Sequence, residues 1–310
     1  MRNISCQLRG LWLGLALLFP AGVLATVPVT VSVPPQAQMV EAIGGDRVEV
    51  SVMIEPGQSP HTFSLSPRQL MALDDGRVYF KVGHPDLAFE RRFLRHVDEQ
   101  DRPVKIVDLS AGVDFMSLDD HEHGHGGHNH GDHGQDHDHA HGDGHDHGET
   151  DPHLWVSPAI MRAAAKPLTE ALIAVDPDGE AGYRERHATF LDELDALDAA
   201  IRQRFQGLEQ RRFVVNHPAW GYFAREYDLE QVAIESGGRD PSPGQLARFI
   251  EQAKEEGVRV VFVQQGFSER SARVIAREID AIVRTADPLA RDWMQNLDEV
   301  AAAIHEALAP

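Results

Sequence analysis

Eighteen histidines stand in a chain of 310 residues that has a single cysteine. Imidazole nitrogen is a good ligand for zinc, nickel and copper, so the histidines point first to divalent-metal chemistry. Eleven fall in one stretch: His121, His123, His125, His128, His130, His133, His137, His139, His141, His145 and His147. The other seven are His61, His84, His96, His153, His187, His217 and His305. Three of these have unusual contexts. His61 lies in Ser59-Pro60-His61-Thr62-Phe63 just after a strand pattern. His153 lies in Asp151-Pro152-His153-Leu154-Trp155. His217 lies in Asn216-His217-Pro218-Ala219-Trp220-Gly221, again just after a strand pattern. Ligands of open α/β sheets gather beyond the carboxyl ends of strands, which suits His61 and His217. His187 fits a helical apolar stripe, His305 a terminal helix, His96 a helix end and His84 a Gly-His-Pro turn. These four are read as structural.

The stretch 121–147 has no Val, Ile, Leu, Phe, Tyr or Trp. It cannot pack a core, so a disordered surface loop over 119–150 is expected. Its imidazoles and interleaved aspartates suit a weak, multi-site metal collector; a solvated insertion with incidental affinity is the plain alternative. His121-Glu122-His123-Gly124-His125 matches the H-E-x-x-H pattern of zinc proteases. That chemistry needs a stable helix, and Gly124, Gly126 and Gly127 argue against one.

Charge and composition exclude several classes. Forty-nine Asp+Glu against 29 Lys+Arg give a formal charge of −20, which repels nucleic acid and anionic membrane surfaces. One cysteine excludes an intramolecular disulfide and Cys-based zinc modules. No G-x-x-x-x-G-K-[ST] pattern is present, so the chain has no Walker-type ATP site.

The amino terminus has the pattern of an export signal over residues 1–25. Arg2 and Arg9 precede a short apolar run over 11–19, and Val23 and Ala25 are small enough for cleavage before Thr26. The run is short for a membrane span, which needs about 20 residues. Cys6 would leave with the signal. The expected product is periplasmic, with no membrane insertion after cleavage.

The remaining pattern predicts the elements that position the histidines. Strands are expected over 29–33, 48–53, 78–82 and 104–107, with helices over 34–43, from 66 and over 87–97. Strands over 213–215, 229–234, 258–263 and 281–283 follow, with helices over 244–256, 268–279 and 289–308. Strands alternating with helices imply largely parallel sheets. Between the two sets, Tyr183, His187, Phe190, Leu194, Leu197, Ile201 and Phe205 recur at helical spacing. A helix over 177–206 would run about 45 Å. The expected class is α/β: a lobe over 26–175 containing the His-rich loop, a rigid linking helix over 176–208, and a lobe over 209–310.

Four blocks in order resemble a known family: Ser59-Pro60-His61-Thr62-Phe63 with Leu65-Ser66-Pro67, Asp151-Pro152-His153-Leu154-Trp155, His217-Pro218-Ala219-Trp220-Gly221-Tyr222-Phe223, and Asp287-Pro288-Leu289. They resemble the periplasmic metal-binding components of bacterial zinc and manganese ABC importers, the cluster A-I or cluster 9 solute-binding proteins. A His/Asp-rich insertion between the first two metal histidines is typical of zinc members. The resemblance implies metal bound between two lobes by His61, His153 and His217, with Asp287 or water as the fourth ligand. It also implies docking of a monomer onto a membrane permease with its ATPase subunit; the single long helix should limit hinge motion, so modest closure is expected. Three imidazoles and a carboxylate suit tetrahedral Zn²⁺. Manganese members typically carry Glu where this chain has His217. Pro60 departs from zinc members that place a carboxylate before the first histidine. Two further readings stay open: a periplasmic metal buffer or adhesin-like surface protein working through the loop, and a zinc hydrolase using a metal-bound water. No general base is identifiable for the hydrolase, so the chain is read as a non-enzyme.

Overall fold

The computed structural model describes residues 26–55, 57–67, 69–70, 76–99, 103–117, 150–235, 241–264 and 269–309. The expected signal segment and the eleven-histidine stretch lie outside the described residues.

Two four-stranded parallel sheets organise the chain. The first contains β1 (Val27–Val31), β2 (Val48–Val52), β3 (Val78–Lys81) and β4 (Lys105–Asp108), in the order β2-β1-β3-β4. Helix α1 (Pro34–Gly44) connects β1 to β2, and α2 (Ala88–Glu99) connects β3 to β4. The second sheet contains β5 (Arg212–Val215), β6 (Glu230–Ala233), β7 (Val260–Val263) and β8 (Ile282–Thr285). Its order, β6-β5-β7-β8, repeats that of the first. Between the sheets come α3 (Pro158–Val175) and α4 (Glu180–Arg204). The later helices are α5 (Gly221–Glu226), α6 (Pro243–Glu255), α7 (Arg270–Glu278) and α8 (Trp293–Leu308).

Central strands bury side chains on both faces, as parallel sheets require. In β7, Val260 and Phe262 enter the main core, whereas Val261 and Val263 pack into a smaller cluster under α7 with Ala272, Ile275 and Ala276. That split is the two-residue period of a strand with both faces covered. Edge strand β8 carries Ile282, which is 52% exposed.

The main core is continuous from Val27 to Leu308, running through both sheets' inner faces and the intervening helices. Helix α4, about 37 Å long, packs against α1 on one side and α8 on the other. It buries Tyr183, Phe190, Leu194 and Ile201. The predicted stripe is therefore the face that joins the two lobes. The helix is shorter than expected, because Pro177–Gly179 forms a separate 3-10 turn before it. Helix α8 starts at Trp293 rather than at 289, since Asp287-Pro288-Leu289 is a turn closed by the Leu289 amide on the Asp287 carboxylate. Among the described residues no helix is long and apolar enough to cross a membrane.

Candidate metal centre

Three segments deliver the histidines. His217 lies two residues past the end of β5, at the point where the strand order reverses between β5 and β7. Such a switch point opens a crevice at the strand ends. Pro218 and the turn to α5 follow; the Trp220 amide donates to Gln231 Oε1 at 2.7 Å, pinning this turn to β6. His153 follows Pro152, whose ring biases Asp151 towards extended backbone. It precedes the 3-10 turn Leu154–Val156, and Ser157 then caps α3 by accepting the Ile160 amide. His61 lies in the turn after β2, where the Thr62 amide donates to Ser59 O at 3.2 Å. Phe63 anchors that turn edge-to-face on Phe89, centroids 5.5 Å apart.

The three imidazoles face one another in a near-equilateral triangle. Ring centroids are 5.3 Å apart for His61–His153, 5.1 Å for His61–His217 and 5.2 Å for His153–His217. The Nε2 atoms of His61 and His153 are 3.4 Å apart. Each of the three offers a ring nitrogen within 4.8 Å of the others, and no other His, Cys, Asp or Glu among the described residues joins the group. His153 and His217 are buried and His61 keeps an exposed outer edge.

Both buried rings are fixed from behind by a carboxylate. Asp151 Oδ1 accepts from His153 Nδ1 at 2.7 Å and from the His153 amide at 2.9 Å. Glu235 Oε2 accepts from His217 Nδ1 at 3.1 Å, and its Oε1 accepts from Asn216 Nδ2 at 2.7 Å. Protonated Nδ1 atoms leave Nε2 of each ring as the lone-pair nitrogen. This is the usual second layer of a metal-binding histidine. Burial holds the His217 imidazole below the ordinary imidazole range, with repulsion from His153 adding to it. Desolvation lowers His61 as well, reinforced by repulsion from His153 and His217. The centre is thus a cluster of three imidazole nitrogens able to hold one divalent cation.

Asp287 is the predicted site residue that the structure does not bring into the group. One of its oxygens accepts from the Leu289 amide at 3.0 Å and its carbonyl accepts from Asn296 Nδ2 at 2.8 Å. Burial raises its carboxyl, with no contribution from the imidazoles. One carboxylate oxygen is thus engaged in the turn before α8. His84 is buried against Phe115 and its Nδ1 accepts from the Asp86 amide, outside the group. His187 Nδ1 lies 2.8 Å from Thr169 Oγ1. His96 and His305 sit on α2 and α8. Sequence reasoning missed Asp151 and Glu235 as partners. Asp151 opens the Asp-Pro-His-Leu-Trp block, two residues before the ring it holds. Glu235 is 18 residues from His217 and carries no local signal.

Comparison with known proteins gives concordant results. Residues 29–307 match the family model described as ZnuA, zinc-uptake complex component A, periplasmic. The high-affinity zinc uptake system protein ZnuA of Paracoccus denitrificans is 32% identical over 256 residues, 77% of this chain and 76% of that protein. Its namesake in Bacillus subtilis is 27% identical over 266 residues, 83% of this chain and 78% of the other. A crystal structure of ZnuA superposes with a TM-score of 0.78 at 35% identity, covering 92% of this chain and all of that one. A ZnuA deletion mutant with zinc bound gives 0.77 at 35% identity, covering 92% and 99%. With the fold repeated in both lobes and the family model spanning almost the whole chain, this protein belongs to the ZnuA family, the zinc-binding components of zinc ABC importers.

Proposed function

We propose that the protein captures one Zn²⁺ through Nε2 of His61, His153 and His217, with water in the fourth position, and delivers it to an ABC permease driven by an ATPase subunit. The observation that carries this reading is the 3.4 Å separation of His61 Nε2 and His153 Nε2. Tetrahedral zinc with Zn–N of about 2.0–2.1 Å has ligand–ligand edges of about 3.3–3.4 Å. An octahedral ion at the same bond length would need edges of about 2.9 Å. The donor set points the same way, since imidazole suits zinc whereas carboxylate and water suit manganese.

Charge balance adds support. Asp151 and Glu235 stand one ring behind the cation and formally offset its two positive charges, so little net charge is buried. The same engagement disfavours hydrolysis: both carboxylates are occupied at Nδ1, leaving none in the group to serve as a general base. The protein works as a monomer in the periplasm after cleavage near Ala25/Thr26. The His-rich segment acts as an accessory collector that holds further ions more weakly.

The test is a chelator-competition titration of residues 26–310 with zinc and then manganese. It is run beside deletion of residues 120–149 and a His61→Ala/His217→Ala double variant. One tight zinc site that survives the deletion, vanishes in the double variant and rejects manganese is expected. Tight binding that follows the His-rich segment instead would make the protein a metal buffer.

A further inference from the structure

One phenol oxygen joins three parts of the molecule. Tyr222 lies in α5, five residues after His217, and is 1% exposed. Its hydroxyl donates to the carbonyl oxygen of Asp151 at 2.9 Å and accepts the Met116 amide at 3.1 Å. Asp151 in turn donates its amide to Met116 O at 2.8 Å, and Ser117 and Thr150 form an antiparallel bridge beside them. Asp151 is fully buried, and its carboxylate orients His153.

Without Tyr222, the Asp151 carboxylate would be held through less. The next residue is Pro152, which has no amide hydrogen to anchor the turn. Other links from the second lobe reach this segment further on: Trp155 Nε1 donates to Pro288 O at 2.7 Å, and Ser157 Oγ to Glu226 Oε2 at 2.5 Å. Those bonds lie two and four residues past His153. The Tyr222 bond, by contrast, is made to Asp151 itself, the residue that holds the His153 ring, and comes from the His217 segment.

We propose that Tyr222 is a positioning residue of the metal centre: its hydroxyl fixes the Asp151–His153 unit against the His217 segment, setting the spacing of the two buried imidazoles across the lobes. This rests on the three histidines being the zinc ligands. Metal–ligand distances tolerate only about 0.2 Å, so a small shift of one ring weakens the whole set. Tyr222 touches no metal; it acts through Asp151.

The experiment uses residues 26–310 with Tyr222→Phe, which deletes one oxygen and keeps the ring. Zinc affinity is measured by chelator competition, and Co²⁺ loading is followed by its visible ligand-field absorption. About a tenfold loss of zinc affinity is expected, the lower end for residues behind metal ligands, together with a changed cobalt band. Glu226→Gln is the structural comparison. It weakens another bond between the lobes, lowering Tm while leaving zinc affinity within about twofold and the cobalt band unchanged. The proposal is overturned if Tyr222→Phe binds zinc within twofold of the parent with the same cobalt band. It is also overturned if both variants lose affinity in proportion to their loss of Tm. His153→Ala separates the two levels: unchanged zinc affinity there would sink the three-histidine site itself, not the role of Tyr222.

Discussion

Asp151 grips His153 twice with the same oxygen, at the ring Nδ1 (2.7 Å) and at the backbone amide (2.9 Å). The ring is thereby fixed in tautomer and in rotation before any ion arrives. Glu235 does the first of these for His217. Asp151→Asn and Glu235→Gln keep the shape and remove the charge. Each should weaken zinc binding by about tenfold, read by chelator competition at pH 7.5. The loss should be greater for Asp151→Asn, because its oxygen also orders the backbone.

Asp287 or water was expected from the sequence as the fourth ligand, and the proposed function takes water, because Asp287 already accepts the Leu289 amide. Asp287→Asn should therefore leave zinc affinity within about threefold. A loss of a hundredfold in the same titration would put the carboxylate in the coordination shell.

The lowered imidazoles give a pH dependence of definite sign. His61 and His217 bind protons less readily folded than unfolded, where imidazole titrates near pH 6.5. Between their lowered native values and about pH 6.5 the unfolded chain carries more protons, so stability rises with pH through that window. Metal-free protein should lose Tm as pH falls from 7 to 5. His61→Ala should flatten that slope at little cost in packing, since this ring has an exposed edge. Zinc affinity should hold as pH falls through the ordinary imidazole range and drop only when pH reaches the lowered native range of His61 and His217, where protons compete for the same nitrogens. An unchanged Tm slope in His61→Ala would refute this account.

Trp155 and Trp293 bind the lobes in series: Trp155 Nε1 donates to Pro288 O at 2.7 Å, and Trp293 Nε1 donates to Trp155 O at 2.8 Å. Trp155→Phe leaves the Pro288 carbonyl without this donor and should cost about 1–3 kcal/mol. Because the main core passes through both lobes, calorimetry of the metal-free protein should show one unfolding transition in both parent and variant. Two resolved transitions would mean that the lobes fold apart.

Gly83 has φ +92°, and a Cβ there would lie 2.0 Å from Asp108 Oδ1 and 2.6 Å from Ser110 Oγ. Its amide also donates to the buried Glu90 carboxylate at 2.9 Å. Gly83→Ala should destabilise by about 2–3 kcal/mol, seen as a lower urea midpoint.

The sequence made the histidines legible because they follow strand ends and sit beside prolines in short apolar blocks. The central strands were legible for a related reason: buried parallel strands such as Val260–Val263 read as unbroken apolar runs. What stayed hidden was held by distance along the chain. Glu235 meets His217 only because β6 lies beside β5. Tyr222 stood within a quoted block, yet nothing local says that its hydroxyl reaches Asp151, 71 residues away. The short helix Gly221–Glu226 has too few turns to show a period. Asp287 is hard to read from sequence because an Asp-Pro turn before a helix serves its own backbone as readily as a metal.

The Ser117–Thr150 bridge joins the two chain arms on either side of residues 118–149. The bridge stands beside the hydrogen bond from the Asp151 amide to Met116 O, so the chain leaves and rejoins the described structure next to the carboxylate that holds His153. The eleven histidines are thereby tethered at Thr150, three residues from the His153 ring.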